Sequence, residues 1–189
     1  MKRLPIALVC GLMMGGPALA SDLTDPLTVE YYSVGGATLQ EIRAQIKTLG
    51  PRGDDGKVWD GYTRWNVRWT YNFVSEGRIC KVKSFTTTLK VVMTLPKWNK
   101  PPDAPPRLVG QWDRYIAALT LHEDGHYDFA VAATEKIKRM IAGKSSAASC
   151  AELGREINAE GNAISGQYVK KNAHYDADST HGKTQGVIF

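Results

Sequence analysis

Large apolar and polar side chains alternate from Thr63 onward: Trp65, Val67, Trp69 and Tyr71 fall on one side, Asn66, Arg68 and Thr70 on the other. A period of two predicts a strand buried on one face. The alternation breaks at Glu76-Gly77, a turn, and Ile79 to Leu95, rich in Val and Thr, predicts one long strand or two shorter ones. Upstream, Leu27-Thr28-Val29-Glu30-Tyr31-Tyr32 has the β-branched and aromatic content of another strand. Between these, Leu39, Ile42 and Ile46 share a helical face, Thr38 and Glu41 form a capping-box pattern ahead of it, and Gly50-Pro51 ends it. A polar, glycine-rich loop runs from there to about Gly61.

The period changes after Pro96–Pro106, which holds five of the nine prolines. Trp112, Tyr115, Leu119, Phe129, Ala133 and Ile137 trace one stripe of a helix from about Leu108 to Ala142 that stops at Gly143. A second long helix begins at Ser149, where Ser149 and Glu152 repeat the capping box, and continues to about Lys171. Asn172 to Phe189 reads as an irregular tail dense in His, Asp, Tyr and Gly. With no internal repeat, the pattern predicts a single α+β domain over residues 21–189. A small antiparallel sheet packs on the first long helix, and the second helix lies beside it.

The first twenty residues stand apart. Lys2 and Arg3 precede a mostly apolar run from Pro5 to Met14, then Gly15-Gly16-Pro17 and the small-x-small site Ala18-Leu19-Ala20. This predicts a secretory signal peptide, residues 1–20, which would place the mature chain in the periplasm or the medium. The run is too short to span a bilayer, no later run is longer, and Cys10, preceded by Val9 in mid-run, does not match a lipid-modified cysteine. Cys80 and Cys150 remain, and in an exported chain they predict one disulfide between the two halves. Losing Lys2 and Arg3 takes the charge from +5 to +3, too mild and too evenly spread for a nucleic-acid partner. The 43% hydrophobic content supplies a real core.

Within the first long helix stands His122-Glu123-Asp124-Gly125-His126. Residues four apart lie one turn apart on one face, so the two imidazoles can chelate one zinc ion, while Glu123 can take a proton from a zinc-bound water. Both histidines continue the apolar stripe and therefore face inward, where an imidazole must be hydrogen-bonded or metal-bound. Gly125 in mid-helix costs ~1 kcal/mol relative to alanine, which predicts close approach of another group. A catalytic zinc needs a third protein ligand. Ala132 stands where an extended motif would place another histidine, so the candidates are His174 and His181 in the tail and Glu152, Glu156 and Glu160 on the last helix.

Several of these features occur together in a known family. They are the Tyr31-Tyr32 strand, Thr63-x-Trp65-x-Val67-x-Trp69, Cys80, the HExxH helix, Cys150 and the ending Tyr175-Asp176-x-x-x-Thr180-His181-Gly182-x-x-Gln185-Gly186. On these the chain resembles a bacterial family described as predicted secreted zinc-dependent proteases, a domain otherwise of unknown function. The resemblance covers nearly all the mature chain. In the family's ending the threonine stands about three residues after the aspartate, whereas here Ala177, Asp178 and Ser179 intervene. The resemblance implies zinc on His122 and His126, Glu123 as base, and a tail folded back onto the site. It puts His181 first as third ligand, with Asp176, Asp178, His174, Glu156 and Glu160 as alternatives, and Tyr175 as a possible oxyanion donor.

The expected function is that of an exported, zincin-like metallopeptidase. It would hydrolyse a peptide bond through a zinc-bound water activated by Glu123, with a peptide or protein as substrate. An edge strand, expected at Lys90 to Leu95, would pair with that substrate. Two other functions fit the same residues: a zinc amidase or endopeptidase acting on cell-wall peptides, and a non-catalytic zinc-binding envelope protein.

Overall fold

The computed structural model describes residues 27–144 and 146–189; the expected signal peptide and Cys10 lie outside them. Three strands, β1 (Leu27–Val34), β2 (Tyr62–Glu76) and β3 (Ile79–Trp98), form one sheet in the order β1-β3-β2. Three helices, α1 (Leu39–Leu49), α2 (Pro106–Gly143) and α3 (Cys150–Ser179), complete the α+β fold. A short 3-10 turn follows at Lys183–Gln185.

The residues from Ile79 onward make one long strand, which carries straight through Pro96. β2 and β3 form an antiparallel hairpin that turns at Gly77, whose φ of 64° suits a residue without Cβ. β1, however, pairs with β3 in parallel, from Leu27 opposite Val91 to Val34 opposite Trp98, so the sheet is mixed, not antiparallel as expected. The cause is the connection from Gly35 to Gly61. It holds α1 and is long enough to carry the chain across the sheet to the far edge, as a parallel pairing requires. Lys90 to Leu95 accordingly lies in the central strand, with Val91 to Thr94 paired on both sides, and is not an edge that could accept a peptide. The edge strand facing the helices is β2.

The alternation along β2 sorts its faces as the sequence demands. Trp65, Val67, Trp69, Tyr71 and Phe73 point inward, against Ile137 and Ile141 of α2 and Leu153, Ile157 and Ile164 of α3. Arg64, Asn66, Arg68, Thr70 and Asn72 are exposed. At the other end Val34, Ile42, Ile46, Met93, Leu95, Trp112 and Tyr115 make a second core cluster. α1 starts at the predicted capping box: Thr38 Oγ1 accepts from the Glu41 amide, and the Glu41 side chain accepts from the Thr38 amide.

α3 begins as predicted, its Ser149 hydroxyl accepting from the Glu152 amide, but runs on to Ser179. The stretch from Gln167 to His181 contains neither Gly nor Pro, so nothing in the chain breaks the helix where the tail was expected to begin. Its first residue, Cys150, is bonded to Cys80 on β3, and the Cys80 backbone pairs with that of Ala147. No helix among the described residues is long and apolar enough to cross a membrane.

The bridge ties residues 70 apart, which in the chain-entropy view stabilises the fold by ~4 kcal/mol. Replacing both cysteines with serine should therefore lower the urea midpoint sharply and steepen the transition, because the released unfolded chain exposes more surface. An unchanged midpoint would show that the bridge constrains nothing.

Candidate metal centre

His122 and His126 face α3 from one side of α2, with 3% and 7% of their surface exposed. Opposite them α3 supplies Asp176. Its Oδ1 lies 3.2 Å from His122 Nε2 and 3.1 Å from His126 Nε2. One ligating atom from each of the three residues falls within 4.8 Å of the others, which can hold a metal ion.

The other nitrogen of each ring is fixed. His126 Nδ1 is 2.7 Å from Asn172 Oδ1, and the Asn172 amide nitrogen donates to the Tyr168 carbonyl at 2.7 Å. His122 Nδ1 is 2.8 Å from Gln185 Oε1, and the Gln185 amide nitrogen donates to the Tyr175 hydroxyl at 2.8 Å. Each amide uses its nitrogen elsewhere, so it can only accept from the ring. Both histidines therefore carry a proton on Nδ1 and turn Nε2 toward Asp176. Outer hydrogen bonds of this kind set the tautomer of metal-binding imidazoles.

The charges agree with this arrangement. Burial pushes the Asp176 carboxyl up, but hydrogen bonds to His122 and His126 outweigh it and hold the group well below the usual carboxylate range. Burial lowers His126, yet Asp176 and Glu123 outweigh it and raise the imidazole above its ordinary value. The cluster favours positive charge at its centre.

Glu123 is 3% exposed and points toward β2, where Thr63 Oγ1 donates to its Oε2 at 2.8 Å. Burial raises its pKa, and His126, the Thr63 hydrogen bond and His122 only partly oppose the rise. Gly61 makes room for it: a Cβ there would lie 2.8 Å from Glu123 Oε1. The preceding residue holds this corner in place. Asp60 accepts from Arg43 and from the Tyr115 hydroxyl (2.8 Å), and its carbonyl accepts from the Tyr32 hydroxyl (2.7 Å). Burial, reinforced by the Asp60 charge, raises both tyrosines, so they stay neutral donors.

The close approach predicted at Gly125 is that of Tyr175, whose Cζ would stand 2.6 Å from a Cβ at that position. The ring stacks on His122 at 4.9 Å, and its hydroxyl donates to the His122 carbonyl at 3.3 Å, so Tyr175 props the histidine from behind. After Ser179 the chain reverses through Thr180 and His181, both at φ near 50°, a strained turn stabilised by the His181 amide donating to the Asp176 carbonyl at 2.7 Å. The tail thus folds back onto the site as expected, and Gln185 is what it delivers.

His181 stands at the rim. Its Nδ1 is 3.6 Å from Asp176 Oδ1, its side chain is 44% exposed, and its ring stacks on Trp59 at 3.9 Å. His174 and Asp178 are exposed, two positions either side of Asp176 and so on the opposite face of α3. Glu156 and Glu160 pair with Lys144, ~24 Å or more along the helix from Asp176. Glu152 lies further still, in the first turn. Asn172 carried no signal except its spacing of four from Asp176, legible only once the helix is known to continue. Gln185 stood in the tail, with no ligand or catalytic role expected of it.

The cluster opens into a cleft of about 1090 Å³. Six consecutive residues, Tyr62 to Val67, line one wall, which is how a strand presents its edge rather than a face. Asn162, Ser165, Val169, Asn172 and Asp176, at helical spacing, line the other.

Long-range proton–nitrogen spectra of the zinc-loaded protein should show Nδ1 protonated on both His122 and His126, with no proton on Nε2. Gln185→Ala should speed exchange of the His122 Nδ1 proton with solvent and leave that of His126 as it was. A wild-type His122 protonated on Nε2 would refute the orientation derived above.

No curated protein and no solved structure matches the chain. One family, described as bacterial protein of unknown function (DUF922), matches residues 29–182. That span includes all but the first two residues of the sheet, both long helices, His122, Glu123, His126 and Asp176, and the chain belongs to this family.

Proposed function

We propose that this protein is an exported zinc-dependent metallopeptidase. His122, His126 and Asp176 would be the protein ligands and Glu123 the base, acting on polypeptides bound in extended form. One observation carries the reading: two imidazoles locked with Nε2 toward a shared carboxylate, beside a buried carboxylate that takes no part in the cluster. Two nitrogens and one oxygen are a donor set that suits catalytic zinc. Asp176 is preferred to His181 because it lies within contact of both Nε2 atoms, whereas His181 is half exposed and held against Trp59.

Zinc held there would supply Lewis-acid polarisation of a carbonyl and acidification of water. Glu123 accepts the proton of the attacking water and returns it to the leaving amine. Burial raises its carboxyl above the ordinary range, the direction that favours returning a proton once it has been taken. Thr63 holds one carboxylate oxygen, and Gly61 leaves space at the other. The edge of β2 offers unpaired backbone groups along the cleft, and an extended peptide satisfies them as an added strand. The disulfide fits an oxidising compartment. A structural zinc protein would have no use for a buried carboxylate beside the ligands, which counts against the non-catalytic reading.

Zinc content and hydrolysis, measured together, test this. Glu123→Gln should retain one zinc and lose activity by ~100-fold or more. Asp176→Ala should lose zinc, and His181→Ala should keep it. Unchanged zinc content in Asp176→Ala, or full activity in Glu123→Gln, would end the assignment. Assaying cross-linked muropeptides beside unfolded protein separates the cell-wall enzyme from a general peptidase.

Zinc affinity should also depend on pH in a defined direction. Metal must displace the proton that Asp176 and Glu123 favour on His126, so affinity should fall on acidification, beginning above the ordinary imidazole value of ~6.5. Chelator competition across pH 5.5 to about 8 reads this directly. A flat profile would mean that His126 is not a ligand.

A further inference from the structure

The cleft is not uniform along its length. Beyond Trp59 it is charged: Arg43, Asp54, Asp55, Asp60 and Lys183 all line that part. Along β2 in the other direction charge gives way to apolar and neutral polar groups: Trp65, Val67 and Trp69 from the strand and Val169 from α3, beside Asn66, Asn162 and Ser165. Arg64 is the one charged residue on that stretch among the described lining residues, and its guanidinium lies over the Tyr62 ring, 5.6 Å from the centroid. Val169 is 59% exposed, an apolar side chain left open to the cleft.

Trp69 is a fixed wall. Its indole lies on Gly161, where a Cβ would come 2.7 Å from the ring, and its Nε1 donates to Asn158 Oδ1 at 3.0 Å. Asn162, one residue beyond Gly161, also lines the cleft and makes no side-chain hydrogen bond among the described residues, so its amide is available to a ligand's backbone.

Register relates this apolar stretch to the chemistry. Thr63 touches Glu123, so Thr63 marks the level of the base along β2. Side chains on one face of a strand recur every second residue, ~7 Å apart, and an added strand keeps that spacing. The ligand residue level with Trp65 is therefore two positions from the one level with Thr63.

We infer that the cleft selects extended polypeptides carrying a bulky apolar or aromatic side chain two residues from the cleaved bond, seated between Trp65 and Val169, with Trp69 further along the same wall. The inference rests on the peptidase reading for its reference point, the cleaved bond; the apolar seat itself does not.

The test uses the zinc-loaded protein and a set of alanine-rich octapeptides in which one phenylalanine is moved along the sequence. Cleavage sites are read by mass spectrometry, and binding to Glu123→Gln is followed by tryptophan fluorescence. Phenylalanine two residues from the cleaved bond should raise kcat/KM about 10- to 100-fold over alanine there. Val169→Glu, an exposed position where the fold tolerates a charge, should collapse that ratio toward one. Cleavage with no preference at that position, or a preference that survives Val169→Glu, overturns the inference and leaves the peptidase standing. If nothing is cleaved, yet Glu123→Gln binds the phenylalanine peptides tighter than all-alanine ones and Val169→Glu removes the difference, the seat stands and the peptidase reading falls. Equal binding of every peptide, with no cleavage, overturns both.

Discussion

Two imidazoles and two carboxylates, Glu123 and Asp176, are confined between α2, α3 and the edge of the sheet. Burying them without partners would cost several kcal/mol each, and the fold supplies a partner for every one. Asn172 and Gln185 accept from the ring nitrogens that face away from the centre, Asp176 meets the nitrogens that face it, and Thr63 donates to Glu123. No buried side-chain nitrogen or oxygen among the described residues is left unsatisfied. The site is therefore rigid because of polar groups that must be matched, and the long helices are the frame on which they are matched.

The frame is stabilised at both ends by different means. Near Cys80 and Cys150 a covalent bond and a two-residue backbone pairing hold the hairpin to the start of α3. At the other end Asp60 gathers Arg43, Tyr115 and Tyr32, and so fixes the short stretch that puts Gly61 against Glu123 and Trp59 against His181. The cleft lies between these two anchors. Its strand wall comes from one half of the chain and its helix wall from the other.

Much of this is written locally in the sequence. The alternation of Trp65, Val67 and Trp69, the Thr38 cap and the inward stripe through His122 and His126 each depend on neighbours a few residues away, and each appears where its pattern predicts. What could not be read depends on distance. The order of strands turns on how the connection through α1 crosses the sheet, which no local pattern encodes. The end of α3 was obscured by composition: Asn172 to His181 is rich in residues that favour loops, yet contains no breaker, and tertiary packing keeps it helical. Read as an irregular tail, the same stretch leaves Asp176 as one alternative among several. Only on a continuing helix do Asn172 and Asp176 share a face, and only then does Asp176 stand across from the histidines while His181 falls beyond the turn.

The bond from His122 to Gln185 joins residues 63 apart in sequence. A chain that emerges amino-terminus first presents its histidine pair well before the amide that orients it. Until α3 has docked and the turn at Thr180 has brought Gln185 home, His122 can protonate either nitrogen and Asp176 has no fixed place. The five-residue motif on α2 thus has no fixed orientation of its own; that orientation is a property of the finished fold.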